Sequence, residues 1–256
     1  MFALESVTFA HPGGRSLLKD FSLAVPARQF CVLVGASGSG KTTVLRLMNG
    51  MLRPSAGRVR AGGRDTAEQD PIALRRGIGY VPQGGSLFPH LTVAENVELV
   101  PRLCGAAPAE RARAAAEALA AVRLPEAEFA ARYPDQLSGG QRQRAAVARA
   151  LAGGAPVVMM DEPFGALDNA LREELQDELG ALLRRLGKTV VFVTHDIHEA
   201  VHLGDRLVVM SEGRILADGT PADVVLEAAD PFVVRLLGRR RADLERFVRG
   251  KGDADG

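Results

Sequence analysis

Cysteine is scarce in this chain: among 256 residues there are two, Cys31 and Cys104. Two thiols are too few for a disulfide framework, and their spacing matches no metal-ligand pattern. A stapled secreted scaffold and a cysteine metal centre are therefore excluded. Cys31 lies in the apolar run Phe30-Cys31-Val32-Leu33-Val34 and reads as a small buried hydrophobe, compatible with a reducing cytoplasm. Excess charge is absent as well. Lys+Arg of 32 against Asp+Glu of 31 leave a formal net charge of +1, so bulk electrostatics draws the chain toward neither nucleic acid nor anionic lipid. No nucleic-acid partner is expected. No stretch approaches the ~20 apolar residues of a membrane-spanning helix. The opening Met1-Phe2-Ala3-Leu4-Glu5 shows no basic region leading into a long apolar segment, so no signal peptide is expected. Any service to a membrane would come from outside it.

What the chain does have is apolar residues in short bursts. Hydrophobic residues make up 46% and charged residues 25%, enough for one sizeable core. The runs at 30–34, 157–160, 190–193 and 207–210 are each bounded by Gly, Pro or charge and are too short for helices. Continuous apolar runs suit strands buried on both faces, as in a parallel sheet. Helical patterns at 41–49, 138–152, 170–186 and 196–203 alternate with them, which predicts an α/β doubly wound core. Residues 1–30 and 57–63 alternate and carry turn signals, predicting a small antiparallel sheet. Residues 92–133 are rich in Ala, Glu and Arg with prolines at 101, 108 and 125, and predict a helical insertion within about 88–152. The main domain is drawn at 1–238. Residues 239–256 are expected to be a charged, frayed tail.

Gly35-Ala36-Ser37-Gly38-Ser39-Gly40-Lys41-Thr42 fits G-x-x-x-x-G-K-[ST] between a predicted strand and a predicted helix. Its glycines let backbone N–H groups turn inward around a polyphosphate, and the helix start offers the same anion a positive end. Lys41 adds a point charge for the β and γ phosphates, Thr42 a hydroxyl for Mg²⁺, and Thr43 completes the phosphate-contacting set. Alone, the motif says only nucleotide phosphates, since kinases, GTPases and motors share it.

Val157-Val158-Met159-Met160-Asp161-Glu162 is a buried strand ending in two acids. Ligands of open α/β sheets bind beyond the carboxyl ends of strands. Asp161 suits a magnesium ligand, and Glu162 a group that orients or deprotonates an attacking water. His195 closes the next apolar strand in the same way, within reach of a γ-phosphate or water. Gln83, after Tyr80-Val81-Pro82, is a candidate sensor of Mg²⁺ and water.

Leu137-Ser138-Gly139-Gly140-Gln141 adds a second anion site. Ser138 and Gln141 form an S-x-x-Q capping box. Two glycines in the first helical turn cost about 1 kcal/mol each against alanine, which capping does not explain. Close approach of an anion to bare backbone does.

With these residues the chain resembles the ABC ATPases over nearly its whole length. The motifs stand in the family's order: the P-loop at 35–42, Gln83, the signature at 137–141, Asp161-Glu162, Ala166-Leu167-Asp168 and His195. The resemblance implies an α/β P-loop NTPase (RecA-like) core with a parallel sheet, a small antiparallel β-subdomain and an inserted α-helical subdomain. It implies a head-to-tail homodimer holding two ATP molecules with Mg²⁺. Ser138, Gly139, Gly140 and Gln141 of one copy would close on the γ-phosphate bound by the other, with Asp168 near the shared interface. One position departs from the pattern. The family stacks adenine on an aromatic, often Tyr, after the first strand, and here His11 stands there.

Ile78 to Val97, with Phe164-Gly165-Ala166-Leu167-Asp168 and Thr194-His195-Asp196-Ile197-His198-Glu199-Ala200, resembles bacterial importers, especially the branch for glycine betaine, choline and carnitine. Importers of amino acids, polyamines or anions share much of this. A soluble ABC ATPase of translation or DNA repair is a rival reading, as is a small-molecule P-loop kinase. The branch implies integral membrane permease subunits, a periplasmic or lipoprotein solute-binding protein, and a peripheral place on the cytoplasmic face of the cell membrane. Leu87, Phe88 and Leu91 would seat a helix of the permease. Appended C-terminal regulatory modules, common in this branch, are not expected here.

Overall fold

The computed structural model describes residues 1–11, 13–14, 16–165, 169–238 and 241–254, with 169–171 and 251–254 described by backbone alone. The chain runs β1 (Phe2–Ala10), β2 (Ser16–Val25), β3 (Phe30–Gly35), α1 (Lys41–Met48), β4 (Ala56–Ala61), β5 (Arg64–Asp65) and α2 (Pro71–Arg76). There follow β6 (Ile78–Val81), α3 (Val93–Leu103), α4 (Pro108–Ala121), α5 (Glu126–Phe129), α6 (Gly139–Ala152), β7 (Val157–Asp161) and α7 (Asn169–Arg185). The last elements are β8 (Thr189–Thr194), α8 (Ile197–Leu203), β9 (Arg206–Ser211), β10 (Arg214–Gly219), α9 (Pro221–Leu226), α10 (Pro231–Leu237) and α11 (Arg241–Ala254). They form two compact units, one of Met1–Pro71 with Thr189–Gly256 and one of Ile72–Lys188.

The first unit holds two sheets. An antiparallel sheet of order β2-β1-β4-β5 pairs Leu4 with Leu23 on one side and Val59 on the other. A second sheet has the order β10-β9-β3-β8. β3 lies between two parallel neighbours, with Val34 opposite both Thr194 and Val209, while β10 runs antiparallel to β9. Every residue of β3 and β8 is buried, as a central strand covered on both faces requires. Cys31 is fully buried, and burial pushes its thiol up to about 12, so it serves as packing.

The C-terminal segment departs from the expected frayed tail. Residues 241–254 form α11, which packs on α8 and α9. Leu244 and Val248, one helical turn apart, are buried, and the Phe247 ring lies 5.7 Å from that of His202. Charge dominates the segment's composition, but this i, i+4 apolar pair gives it a face to bury.

In the second unit β6 and β7 pair in parallel, with Val81 opposite Met160. Helix α6 comes so close to β6 that a Cβ on Gly79 would stand 2.3 Å from the Ala150 carbonyl oxygen. Helices α3, α4 and α6 pack on one another around Val97, Leu119, Ala145 and Ala146. The Thr92–Glu95 capping box starts α3, which runs two residues beyond Pro101 because the proline sits in its last turn. Among the described residues no helix is long and apolar enough to cross a membrane.

Candidate functional site

The predicted phosphate loop leaves the carboxyl end of β3 and enters α1. Gly40 caps that helix at φ 102 with no side-chain hydrogen bond to the first-turn amides, a conformation that favours glycine. Gly35 is needed for a different reason: a Cβ there would lie 2.0 Å from the Met210 carbonyl oxygen. The Lys41 ammonium is buried and curls back on its own loop, donating to the carbonyls of Gly35 at 2.8 Å and Ala36 at 2.9 Å. It also reaches Ser39 Oγ at 3.4 Å. Ala36, Ser37 and Gly38 are exposed, Ser39, Gly40 and Thr43 are buried, and Thr42 is half-buried at the helix start.

Because Thr194 pairs with Val34, β8 ends beside the start of this loop. His195, the next residue, is exposed at that edge. His11 follows β1 and is exposed, its ring 5.1 Å from the Phe9 ring at an edge-on 85°. Phe9 is buried, so His11 is the more accessible of the two for stacking.

In the second unit the parallel pairing of β6 and β7 brings another predicted set together. Asp161 ends β7 and is 5% exposed. Glu162 follows at φ 46, in the left-handed region that non-glycine residues seldom adopt, a strain typical of functional turns. Its Oε2 accepts a hydrogen bond from Gln83 Nε2 at 3.3 Å. Two residues singled out separately in the sequence thus meet through their side chains.

The signature segment adopts its predicted box. Ser138 caps α6, its Oγ accepting from the Gln141 amide at 3.2 Å, while Gln141 Oε1 accepts from the Ser138 amide at 2.9 Å. Asp168 and its neighbours Ala166 and Leu167 lie outside the described residues.

Sequence reasoning passed over two supports of these loops. In the first unit the Gly213 amide donates to the Ser39 carbonyl at 3.1 Å, and a Cβ on Gly213 would stand 1.8 Å from the Leu17 carbonyl oxygen. Glu212-Gly213 reads as an ordinary hairpin turn and gives no sequence signal of this contact. In the second unit Arg149 is 8% exposed and donates to the carbonyls of Ser86 at 2.9 Å and Gly85 at 3.0 Å, just beyond Gln83. Burial holds its guanidinium below the usual arginine value. A charged residue inside the apolar stretch Ala145 to Leu151 was the available signal. Asn96, fully buried, ties the same segment through its amide, with Phe88 N–H to its Oδ1 at 2.8 Å. Phe88 is 43% exposed, and Leu87 and Leu91 are half-buried.

Comparison with known proteins identifies the family. The family model described as ABC transporter matches residues 18–165, more than half of the chain. The chain is 44% identical over 241 residues to the choline transport ATP-binding protein OpuBA of Bacillus subtilis (strain 168), covering 94% of this chain and 63% of that protein. It is 43% identical over 255 residues to the glycine betaine/carnitine/choline transport ATP-binding protein OpuCA of the same strain, covering 100% and 66%. It is also 46% identical over 228 residues to the sulfate/thiosulfate import ATP-binding protein CysA 2 of Chromobacterium violaceum, covering 88% and 60%. The chain therefore spans just under two thirds of the length of these relatives. Among solved structures, the dimeric post-hydrolysis state of the ATP-binding cassette MJ0796 bound to ADP and Pi superimposes with a TM-score of 0.77 at 37% identity. That match covers 86% of this chain and 98% of the other.

Proposed function

We propose an ATP-driven transport function from one premise: the chain belongs to the ABC transporter family. Its fold is the α/β P-loop NTPase fold of the cassette it matches. In our reading it binds and hydrolyses MgATP as the motor subunit of a bacterial importer. The observation that carries the reading is the Gln83–Glu162 hydrogen bond at the carboxyl ends of adjacent parallel strands. It holds Glu162, an acid suited to orienting or deprotonating an attacking water, at a strained turn.

Each group has a task that its surroundings allow. The uncapped first turn of α1 offers its amides to a triphosphate, and Lys41 is already inside the loop to exchange its carbonyl acceptors for phosphate oxygens. His11 offers an exposed ring to adenine. Thr42, Asp161 and Gln83 present hydroxyl, carboxylate and amide oxygens, a hard-donor set that fits Mg²⁺. When bound, that ion supplies positive charge to the phosphate oxygens. Glu162 orients the attacking water and takes its proton, and His195 steadies the γ-phosphate end. Ser138, Gly139, Gly140 and Gln141 of a second copy, with Asp168, complete the nucleotide contacts in a homodimer.

The solute is assigned to the quaternary amines, glycine betaine, choline or carnitine. OpuBA and OpuCA support that reading over nearly the whole chain. CysA 2 supports the alternative of an anion importer, since its identity is as high over a shorter span. Solute choice itself would rest with the permease and the external solute-binding protein. The permease would dock at Leu87, Phe88 and Leu91, placing the motor on the cytoplasmic face of the membrane.

The test is Glu162→Gln, assayed for ATP binding and turnover. ATP affinity should persist while kcat falls ~1,000-fold, equivalent to about 4 kcal/mol of transition-state stabilisation, and ATP should trap a dimer on size exclusion. Turnover at the wild-type rate would remove Glu162 from the mechanism.

A further inference from the structure

His195 sits on a turn whose two flanks are held by buried groups with no role assigned so far. Thr194 is 1% exposed and Glu199 is 7% exposed. The Thr194 hydroxyl donates to Glu199 Oε2 at 2.5 Å and accepts from the Asp196 amide at 2.9 Å. Asp196 in turn caps α8, its Oδ1 accepting from the His198 amide at 2.8 Å. The bonds therefore step from α8 to β8, across His195 to Asp196, and back into the start of α8.

A buried carboxylate is an expensive way to close a strand–helix junction, since apolar residues of similar volume would seal it without desolvating a charge. What the polar version adds is direction. A hydroxyl has one proton, and here it is committed to Glu199, which turns a lone pair toward the Asp196 amide. The backbone on both sides of His195 is thereby fixed, while the imidazole itself stays exposed. Thr194 is also paired with Val34 at the foot of the phosphate loop, so the same residue sets the turn in register with that loop.

We propose that Thr194 and Glu199 form a clasp that positions His195 for ATP hydrolysis, acting through the backbone and touching no substrate. The proposal rests on the reading of the chain as an ATPase in which His195 acts on the γ-phosphate end.

The experiment is a double-mutant cycle on the purified full chain, with kcat and KM for MgATP and the melting temperature measured for each variant. Thr194→Val, which keeps the shape and removes the hydroxyl, should lower kcat roughly tenfold with KM nearly unchanged, the effect of losing one orienting hydrogen bond. Glu199→Gln with Thr194 intact retains an oxygen acceptor for the hydroxyl and should keep most of the wild-type rate. The double variant Thr194→Val with His195→Ala should turn over at the rate of His195→Ala alone, because the clasp acts only through the imidazole. Losses that multiply in the double variant, or that track the melting temperature in both backgrounds, would overturn the proposal and leave a structural role. If Thr194→Val does not fold, Glu199→Ala in the two His195 backgrounds gives the same cycle, with Thr194→Ser, which keeps the hydroxyl, as the control that should retain the rate. A wild-type chain that hydrolyses ATP, beside an inactive Glu162→Gln, keeps the ATPase reading intact whatever the cycle returns. A wild-type chain without hydrolysis sinks both.

Discussion

Helix α1 starts directly after Gly40 and helix α6 starts on Gly139, yet the two treat their first turns in opposite ways. The turn at Gly40 takes a left-handed conformation, and Gly40 supplies no side-chain cap to the helix start. The turn at Ser138 is closed by a reciprocal box in which the Gln141 amide and the Ser138 amide both have side-chain acceptors. A helix start leaves its first amides without intrahelical partners. An uncapped start is therefore suited to surrounding an anion, and a capped one to presenting a fixed edge to an anion held elsewhere. The charge follows the same division. Neither first turn contains an acidic residue, but the first loop adds the Lys41 ammonium, whereas α6 begins with two glycines. Under the proposed function, the first turn would receive the ligand and the second would contact it.

The largest effect should come from breaking the receiving turn. Lys41→Ala removes the only ammonium in the loop and should weaken binding of a fluorescent ATP analogue about 100-fold, the scale of a charge-assisted contact to phosphate. Ser138→Ala should leave the affinity of the isolated chain within about twofold. Equilibrium titration of both variants decides the matter. Equal losses would erase the distinction between the two turns, and an unchanged affinity in Lys41→Ala would remove the phosphate-loop assignment.

Much of this contrast was legible in the sequence, because it is written in short local patterns. The strand at 30–35 and the helix at 41–48 follow from an apolar run, a glycine loop and a polar helix start, and the Ser138–Gln141 box follows from the residues at two positions. The Gln83–Glu162 hydrogen bond was not legible, since it depends on β6 and β7 lying side by side across 79 residues of chain. The same holds for Gly213 beneath Ser39, for Arg149 behind Gln83 and for the Thr194–Glu199 clasp. Each supporting residue looks ordinary in its own segment and acquires its role from a partner that packing supplies. Helix α11 fell out for another reason: its apolar pair, Leu244 and Val248, is submerged in charged neighbours, and the helix forms because α8 and α9 bury that pair.

The smaller effects test the capped turn on its own terms. Ser138→Ala should lower unfolding stability in urea by about 1 kcal/mol, the usual cost of losing an N-cap oxygen. Gln141→Ala should cost only a few tenths, roughly 0.3 kcal/mol, because the amide it satisfies is solvent-accessible and water replaces the lost acceptor. The ordering is what matters. Ser138 Oγ meets an amide within the first turn of α6, so its loss unravels helix, whereas Gln141 Oε1 meets an amide that precedes the helix. If Gln141→Ala proved as costly as Ser138→Ala, the two bonds would be cooperative. The signature turn would then be held rigid as a unit, and a partner's phosphate would meet an edge that cannot adapt to it.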